Sequence, residues 1–418
     1  MTGMPRSMAA VDAQMLWLSA KVPNDQFLLF AFDGSPHHSG KAVAELGRRA
    51  EACDELRMRV VDDVAWRYPR WQPGGVEPGQ FVTHDHHGDW QACLDAVGRL
   101  SSEPLDPRRM AWRTHVFPDV SGIPKVSGAG SVVVVQMTHA LADGTRAAAL
   151  AGALLGRSRP VPAVAPPDRG SLARRAVAAS RANRQLVRDT EAGLLPPPVP
   201  PRPLLSINAR PAGRSAIRTL ALRRDQLPGS TVTVGVLVVV SEALSGYLGE
   251  RGDDISQLGA EVPMAAPVNI NAHNNFRNVG VGLYPGLGAA ERAVRIATEL
   301  AGHRRRGEHP GTLASGAAFA AVPAKLLRWG VSQFDPASRS PAVTGNTVVS
   351  SVNRGPADLS FGGRPVVLTA SYPALSPMMS LTHGVHGIGG SLAISVHADD
   401  SNVDVDEYVD RLRTALGD

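Results

Sequence analysis

Residues 131–155 constrain the fold of this chain more than any other stretch. Their apolar, β-branched run at residues 132–135 (VVVV) predicts a buried strand. The pair Asp143-Gly144 then predicts a turn, and the Ala- and Leu-rich residues 145–155 predict a helix. A strand, a short loop and a helix in this order favour an α/β fold.

His139 lies in the loop between that strand and that helix, four residues before Asp143. A histidine placed there can act as a general base, because its ordinary pKa near 6.5 suits proton transfer at neutral pH. The alternative is a histidine with a purely structural role, and this short pattern alone favours that alternative.

Helix and strand patterns alternate on both sides of this stretch. Predicted helices cover residues 41–60, 89–100, 290–306 and 405–416. Predicted strands cover residues 113–117, 131–137, 217–222, 267–270, 279–283, 365–371, 379–386 and 391–398. A Gly-, Ser- and Pro-rich hairpin loop is predicted at residues 119–130. The valines of residues 233–248 are also typical of a strand.

Two proline-rich stretches, residues 160–167 and 195–203, enclose a basic segment at residues 172–187 that is predicted to be helical. We interpret residues 159–213 as a crossover linker. It would join an N-terminal lobe, residues 1–158, to a C-terminal lobe, residues 214–418.

Composition excludes several functional classes. The net charge of +5 is spread along the chain and no nucleic-acid-binding motif is present, so no nucleic-acid partner is expected. Cys53 and Cys93 have no metal-site spacing and are too few for a disulfide framework. With no signal-peptide pattern, these cysteines indicate a cytoplasmic protein.

Residues 311–331 are the most apolar long segment, but Pro323, Lys325 and Arg328 interrupt it. We therefore expect a packed surface helix there, with peripheral membrane contact as the alternative. Residues 84–87 (HDHH) invite a metal site, yet adjacent side chains on extended backbone point to opposite faces. We expect a solvated loop and no metal.

His273, His383 and His386 are expected to be structural, and four asparagines form a turn-rich cluster at residues 271–278. No Walker or dinucleotide-binding motif is present, so no bound cofactor is expected.

The HxxxDG pattern at residues 139–144 resembles the active-site motif of acyltransferases with the chloramphenicol acetyltransferase-like fold, a superfamily that includes peptide-synthetase condensation domains. Other segments follow in an order similar to the bacterial wax ester synthase/diacylglycerol acyltransferase family. Residues 8–18 (MAAVDAQMLWL) resemble its L-S-P-x-D-A segment, and residues 104–112 (PLDPRRMAW) its P-L-D-R-x-R-P-L-W segment. Residues 278–280 (NVG) resemble the start of its G-N strand, and residues 349–356 (VSSVNRGP) its S-N-V-P-G-P segment.

This resemblance implies a two-lobed α/β fold, with mixed sheets, helices and a tunnel between the lobes, and it makes residues 233–248 a buried helix. It implies that His139 is the catalytic base. Asp143 would hold the loop by pairing with an arginine rather than orient the imidazole, and Gly144 would permit a tight turn.

The sequence also departs from the family. Thr138 stands where the family has the first of two histidines, Thr233-Val234 replaces its N-D pair, and Asn353-Arg354 lies where it has proline alone. These departures bear on the substrate more than on the fold.

The substrate wall is expected to include polar residues on segments that the resemblance brings to the tunnel: Thr138, Asn278, Ser350, Ser351 and Asn353. Each of them could stabilise an oxyanion, or could be an ordinary strand or turn residue.

The expected activity is transfer of an acyl group from acyl-CoA, as co-substrate, to an alcohol or amine. A condensation-domain-like enzyme that uses an acyl carrier protein, and a non-catalytic lipid-binding relative, are the alternatives.

Overall fold

The structure is a computed structural model that describes residues 5–85, 88–267 and 271–417. The helices are α1 Ala10–Ser19, α2 Ser39–Ala52, α3 Trp90–Leu100, α4 Gly144–Leu154, α5 Leu172–Glu191, α6 Val232–Gly249, α7 Ala289–Glu308, α8 Pro310–Ala320, α9 Ala324–Ser332 and α10 Val405–Leu416. The strands are β1 Arg6–Ser7, β2 Gln26–Phe32, β3 Met58–Val61, β4 Arg70–Pro73, β5 Phe81–Thr83, β6 Trp112–Ser121, β7 Ala129–Met137, β8 Arg202–Pro203, β9 Ser215–Leu222, β10 Gly259–Ala265, β11 Phe276–Gly282, β12 Ala342–Val343, β13 Thr347–Asn353, β14 Ser360–Phe361, β15 Arg364–Ser371, β16 Leu381–Ile388 and β17 Ser391–Asp399.

One large sheet has the strand order β14-β15-β2-β7-β6-β5, with β7 near its centre. Val133 and Val135 of β7 pack into a core with α1, α2 and α4, whereas Val132 and Val134 point into a second core that Ile217 of β9 also enters. Side chains alternate along a strand, so burial on both faces explains the unbroken valine run. The predicted strand at residues 131–137 and the helix that follows it are confirmed.

The second large sheet has the order β11-β10-β13-β16-β17-β9 and is also mixed, since β10-β13 and β13-β16 are parallel pairs. Helix α6 lies in its core beside α7 and α10. The Thr231 side chain accepts a hydrogen bond from the Val234 amide and caps the helix. Burial on almost every side overrides the strand preference of its valines, and the prediction of a buried helix is confirmed.

Among the described residues, α6 is the one helix long and apolar enough to cross a membrane, with a mean hydropathy of 1.7. It is 67% buried inside the protein, as a core helix is.

The two sheets do not follow the expected division of the chain into residues 1–158 and 214–418. Strands β14 and β15 come from the second half but extend the first sheet, where Thr369 pairs with Phe30 of β2 and Leu368 with Ala31. Within residues 159–213, α5 packs along α8, and β8 pairs with β12. The second half of the chain therefore completes the first sheet.

Two predicted helices differ from the structure. The helix predicted at residues 41–60 ends at Ala52, because Cys53 is extended (φ −107°, ψ 108°), and a 3-10 turn and β3 follow. The surface helix predicted at residues 311–331 is two helices, α8 and α9, separated at Pro323, which precedes the first residue of α9. Three residues of the strand predicted at 267–270, residues 268–270, lie outside the described residues.

Candidate active site

A cavity of about 470 Å³ lies between the two large sheets. The first half of the chain contributes the loop after β7, and the second half contributes β10, β11, β13 and β16. Its lining includes His139, Asp143, Gly144, Asn278, Ser350 and Ser351. The volume lies within the range of small-molecule sites. We call it the interlobe cavity.

The imidazole of His139 is partly exposed at the wall of this cavity. Its Nδ1 is buried and has no hydrogen-bond partner among the described residues, so Nε2 is the nitrogen that can meet a substrate. Burial lowers the pKa of His139 to about 4, against opposing effects of Asp143 and Asn274. The ring is therefore neutral at pH 7 and able to accept a proton.

Asp143 holds two backbone segments together. Its Oδ1 accepts a hydrogen bond from the Arg146 amide at 2.8 Å, capping α4, and its Oδ2 accepts one from the Asn275 amide at 2.9 Å. Its own amide donates to the His273 carbonyl at 3.2 Å. Asp143 thus anchors the loop through backbone amides. The ion pair with an arginine that the resemblance implies is not formed among the described residues, and the nearby Arg146 pairs with Glu55.

Gly144 allows close packing between α4 and β13. Its φ is not positive, but a Cβ at this position would lie 3.1 Å from a methyl group of Val352 on β13. The absence of a side chain lets the start of α4 approach the second sheet. The tight turn expected of Gly144 stays a prediction.

A buried polar network connects α1 to the loop beside His139. Asp12, which is 0% exposed, accepts hydrogen bonds from the backbone amides of His273 (2.9 Å) and Asn274 (3.0 Å). It also accepts them from the side chains of the same two residues, at 3.1 Å from His273 Nδ1 and 3.0 Å from Asn274 Nδ2. Asn274 Nδ2 donates in turn to the His139 carbonyl at 2.8 Å. The position of His139 is thus fixed from a residue near the N-terminus.

The charges of this network are paired. Glu55 accepts hydrogen bonds from Arg146 at 2.7 Å and from Arg6 at 2.8 Å, and His273 Nε2 lies 3.7 Å from it. Burial alone would raise the pKa of Glu55, but His273, Arg146 and Arg6 outweigh it and lower the value to about 2. Burial opposes the charge of His273 as well, yet its bonds to Asp12 and Glu55 raise its pKa overall. We call these residues the Asp12 cluster: Arg6, Asp12, Glu55, Arg146, His273 and Asn274.

Three of the residues expected in the substrate wall line the interlobe cavity: Asn278, Ser350 and Ser351. Asn278 also donates a hydrogen bond to Glu261, a cavity carboxyl whose pKa is raised by burial. Thr138 is buried and shapes the loop, its hydroxyl accepting from the Ala140 amide at 3.4 Å. Asn353 is exposed and accepts from the Gly355 amide.

Sequence reasoning missed the residues that fix the position of His139. Asp12 belonged to a segment noted only for its resemblance, and Asn274 to a cluster noted only as turn-rich. The signal that could have found them is chemical, because a buried aspartate in an apolar helix needs partners. Its partners lie 261 and 262 residues away, and the sequence pattern does not name them.

Three other histidines, His84, His115 and His383, contact side chains outside the cavity wall. His84 Nε2 lies 3.1 Å from His115 Nδ1, and His383 lies between Thr347 and Tyr408. His86 and His87, the rest of the proposed metal motif, lie outside the described residues. No group of three or more metal-ligating side chains occurs within residues 5–85, 88–267 and 271–417.

Family models match most of the chain. Residues 8–195 match the wax ester synthase/diacylglycerol acyltransferase catalytic domain, and residues 279–418 match the WS/DGAT C-terminal domain. A search among curated proteins found no match.

Solved structures with the same fold include the wax ester synthase/diacylglycerol acyltransferase from Marinobacter aquaeolei VT8, which is 17% identical with a TM-score of 0.63 and 98% of each chain covered. The first condensation domain of the calcium-dependent antibiotic synthetase, in complex with a substrate analogue, is 17% identical with a TM-score of 0.59; the match covers 100% of this chain and 98% of that one. A mutant starter condensation domain of rhizomide synthetase, in complex with C8-CoA and Leu-SNAC, is 15% identical with a TM-score of 0.59, with 99% and 93% covered.

These structures confirm the two-lobed chloramphenicol acetyltransferase-like fold. With the two family models, they show that the chain belongs to the wax ester synthase/diacylglycerol acyltransferase family of acyltransferases.

Proposed function

We propose that this protein transfers an acyl group from acyl-CoA to an alcohol or amine, with His139 as the general base. One observation carries the proposal: a neutral imidazole reaches a cavity of substrate size while its backbone is held in place by the Asp12 cluster. The complex of a structurally similar condensation domain with C8-CoA supports acyl-CoA as the donor.

In the proposed reaction, Nε2 of His139 takes the proton from the acceptor hydroxyl or amine as that group attacks the thioester carbonyl. The tetrahedral intermediate then collapses, the C–S bond breaks, and the imidazolium returns the proton to the thiolate. The products are an ester or amide and free CoA thiol.

Asn274 is our candidate for the group that orients the imidazole. Oδ1 of Asn274 and Nδ1 of His139 are both buried, and neither atom has a hydrogen-bond partner among the described residues. The Asn274 side chain is also close enough to raise the pKa of His139. A hydrogen bond from Nδ1 to this amide would leave Nε2 unprotonated and facing the acceptor.

The hydroxyl of Ser350 is the proposed oxyanion donor, since Ser350 lines the interlobe cavity on β13 and shares the face of Val352. Donors already fixed on a strand stabilise charge that develops in the transition state without reorganisation.

Peripheral membrane contact stays a prediction for residues 311–331. Leu326 and Trp329 of α9 are 51% and 61% exposed, and Lys325 stands beside them. Such an apolar and basic face suits a lipid surface. The expected cytoplasmic location also stays a prediction.

The test is to incubate the purified protein with a panel of acyl-CoAs and mixed acceptors and to follow release of free thiol. His139→Ala should lower the rate by at least about 100-fold, the usual contribution of a general base. His37→Ala, which changes an exposed histidine, is the matched control and should keep full activity. Circular dichroism would verify that both variants are folded.

Mass spectrometry of the products would separate acyl transfer from hydrolysis and identify the acceptor. Activity with carrier-protein thioesters but not with acyl-CoA would favour the condensation-type alternative. Near-normal turnover by folded His139→Ala would overturn the proposed role of His139, and tight lipid binding without turnover would favour a binding protein.

A further inference from the structure

Arg354 is a buried charge with no counter-charge among the residues that the structure describes. The residue is 4% exposed, and its Nε and Nη1 are buried without a hydrogen-bond partner among the described residues. Its guanidinium carbon lies 5.4 Å from the centre of the Phe30 ring. Burial lowers the pKa of Arg354 to about 9, and no described acidic group opposes this effect. The side chain therefore remains charged at neutral pH.

His386 is the second unsatisfied group in this region. Its ring is buried at the wall of the interlobe cavity, and Nδ1 has no hydrogen-bond partner within the described part of the chain. The pKa of His386 is lowered well below its ordinary value, first by burial and then by the charge of Arg354. The two side chains are thus electrostatic neighbours.

The strand geometry directs both groups to the same side. His386 on β16 is in register with Val352 on β13, and both line the cavity. Arg354 follows Val352 by two residues, and its amide donates to the Gly387 carbonyl at 2.8 Å, continuing the pairing of the two strands. Because side chains two residues apart share a face, Arg354 lies on the same side as Val352 and His386, just beyond the residues that line the cavity.

A buried, unpaired guanidinium is costly, so it indicates a ligand that supplies the missing charge. One arginine in a dry site balances one negative charge and offers a planar fork that fits a carboxylate. A phosphate would bring a second charge for which the described residues provide no partner nearby.

We infer that Arg354 and His386 form a subsite that binds a carboxylate group of the substrate where the interlobe cavity meets His386. This inference rests on the proposed function for the identity of the substrate, but the binding itself does not require turnover. The carboxylate could lie on the acyl chain of the donor or on the acceptor.

The first experiment measures binding alone. Titration calorimetry at pH 7 would compare octanoate with octanamide, its neutral analogue of similar shape, on the wild-type protein. Octanoate should bind about tenfold or more tightly, because a hydrogen bond to a charged group contributes about 1.5–3 kcal/mol. Arg354→Met should abolish that preference, and Arg354→Lys should retain part of it. Arg214→Met, which removes an arginine whose side chain is 92% exposed, is the matched control and should bind like wild type.

Equal binding of the two probes to wild type, or an unchanged preference in Arg354→Met, would overturn the subsite. The wild-type comparison decides the matter even where Arg354→Met fails to fold. Binding of octanoate without any thioester turnover would support the subsite while counting against the proposed function.

Turnover then separates the two sources of the carboxylate. Hexanoyl-CoA is compared with the CoA thioester of adipic acid as donor, and octanol with 8-hydroxyoctanoate as acceptor. Arg354→Met should lower kcat/KM about tenfold or more for the charged member of one pair and leave its neutral member within about twofold. Equal losses for charged and neutral substrates would contradict the inference.

Discussion

Two groups of buried charges lie near the interlobe cavity, and they differ in one respect. In the Asp12 cluster the carboxylates of Asp12 and Glu55 are matched by His273, Arg146 and Arg6. At Arg354 and His386 a guanidinium and an imidazole lie together with unused polar atoms and no described acidic partner. Breaking a pair of buried charges destabilises the fold, and a buried charge without a partner lowers the stability of the ligand-free protein. The comparison separates residues that hold the site from residues that await a ligand.

The largest expected effect is on stability and comes from a change in the Asp12 cluster, whose charges are paired. Asp12→Ala removes the acceptor of four hydrogen bonds and leaves the buried imidazole of His273 and the amides of residues 273 and 274 without that acceptor. We expect the free energy of unfolding to fall by about 3–5 kcal/mol, as measured by urea denaturation. Asp12→Asn keeps two acceptor sites and should lose less. A loss below about 1 kcal/mol for Asp12→Ala would mean that the cluster does not hold the loop.

The next effect concerns rate. Asn274→Ala removes the donor to the His139 carbonyl and the proposed acceptor for Nδ1. We expect kcat to fall about tenfold to 100-fold with KM nearly unchanged, and the acid limb of the kcat/KM profile to shift, since the pKa of His139 loses a contribution that raises it. Asn271→Ala, in the same loop, is the control. A rise in KM alone would contradict a positioning role.

Lowering the pH should affect stability differently for the buried neutral histidines and for the Asp12 cluster. Burial lowers the pKa of four histidines to about 4: His115, His139, His383 and His397. Between pH 6.5 and 4 these imidazoles are therefore protonated in the unfolded chain but neutral in the folded chain. The free energy of unfolding should therefore fall as pH drops through this window, by at most about 1.4 kcal/mol per group and pH unit. Urea denaturation at pH 7, 6 and 5 would measure it, and a constant value would refute it.

The paired cluster behaves differently in the same titration. With a pKa near 2, Glu55 keeps its contribution until the pH falls below about 4.5. The raised pKa of His273 gives a contribution that is complete below pH 6.5 and is lost as the pH rises through that raised value.

The smallest effect has the opposite sign. Arg354→Met replaces an unpaired buried charge by an apolar chain of similar length, so the free protein should become more stable by about 1 kcal/mol. The midpoint of urea denaturation checks this, with Arg214→Met as the exposed control. A loss of stability would show that Arg354 contributes to the fold and would remove the contrast with the Asp12 cluster.

The sequence predicted well those elements whose pattern is local. The valine run of β7, the helix after Gly144 and the capped start of α3 at Asp89 follow from periodicity and capping within a few residues. Residues 41–60 were predicted as one helix because the helical spacing continues past Ala52. There the pairing of β3 with β4, a contact between distant residues, overrides the local preference.

The site divides in the same way. His139 and its loop were predicted from a motif, and the cavity position of Ser350 and Ser351 from resemblance. The contacts of Asp12 with residues 273 and 274, and the burial of Arg354, depend on how two halves of the chain meet. The local sequence around each residue does not determine how the two halves pack together. Sequence reasoning therefore assigned no catalytic or binding role to these residues.

The pairing of β15 with β2 has a consequence for how the protein is made. Strand β2 lies between β7 and β15, so until residues 364–371 have been synthesised the first sheet has an open edge. A ribosome adding about 5–20 residues per second would leave that edge unpaired for about 12–47 seconds after β7 is complete. The nascent N-terminal lobe is therefore a natural client for chaperones, and any truncation before residue 364 should yield an aggregating fragment rather than a smaller enzyme.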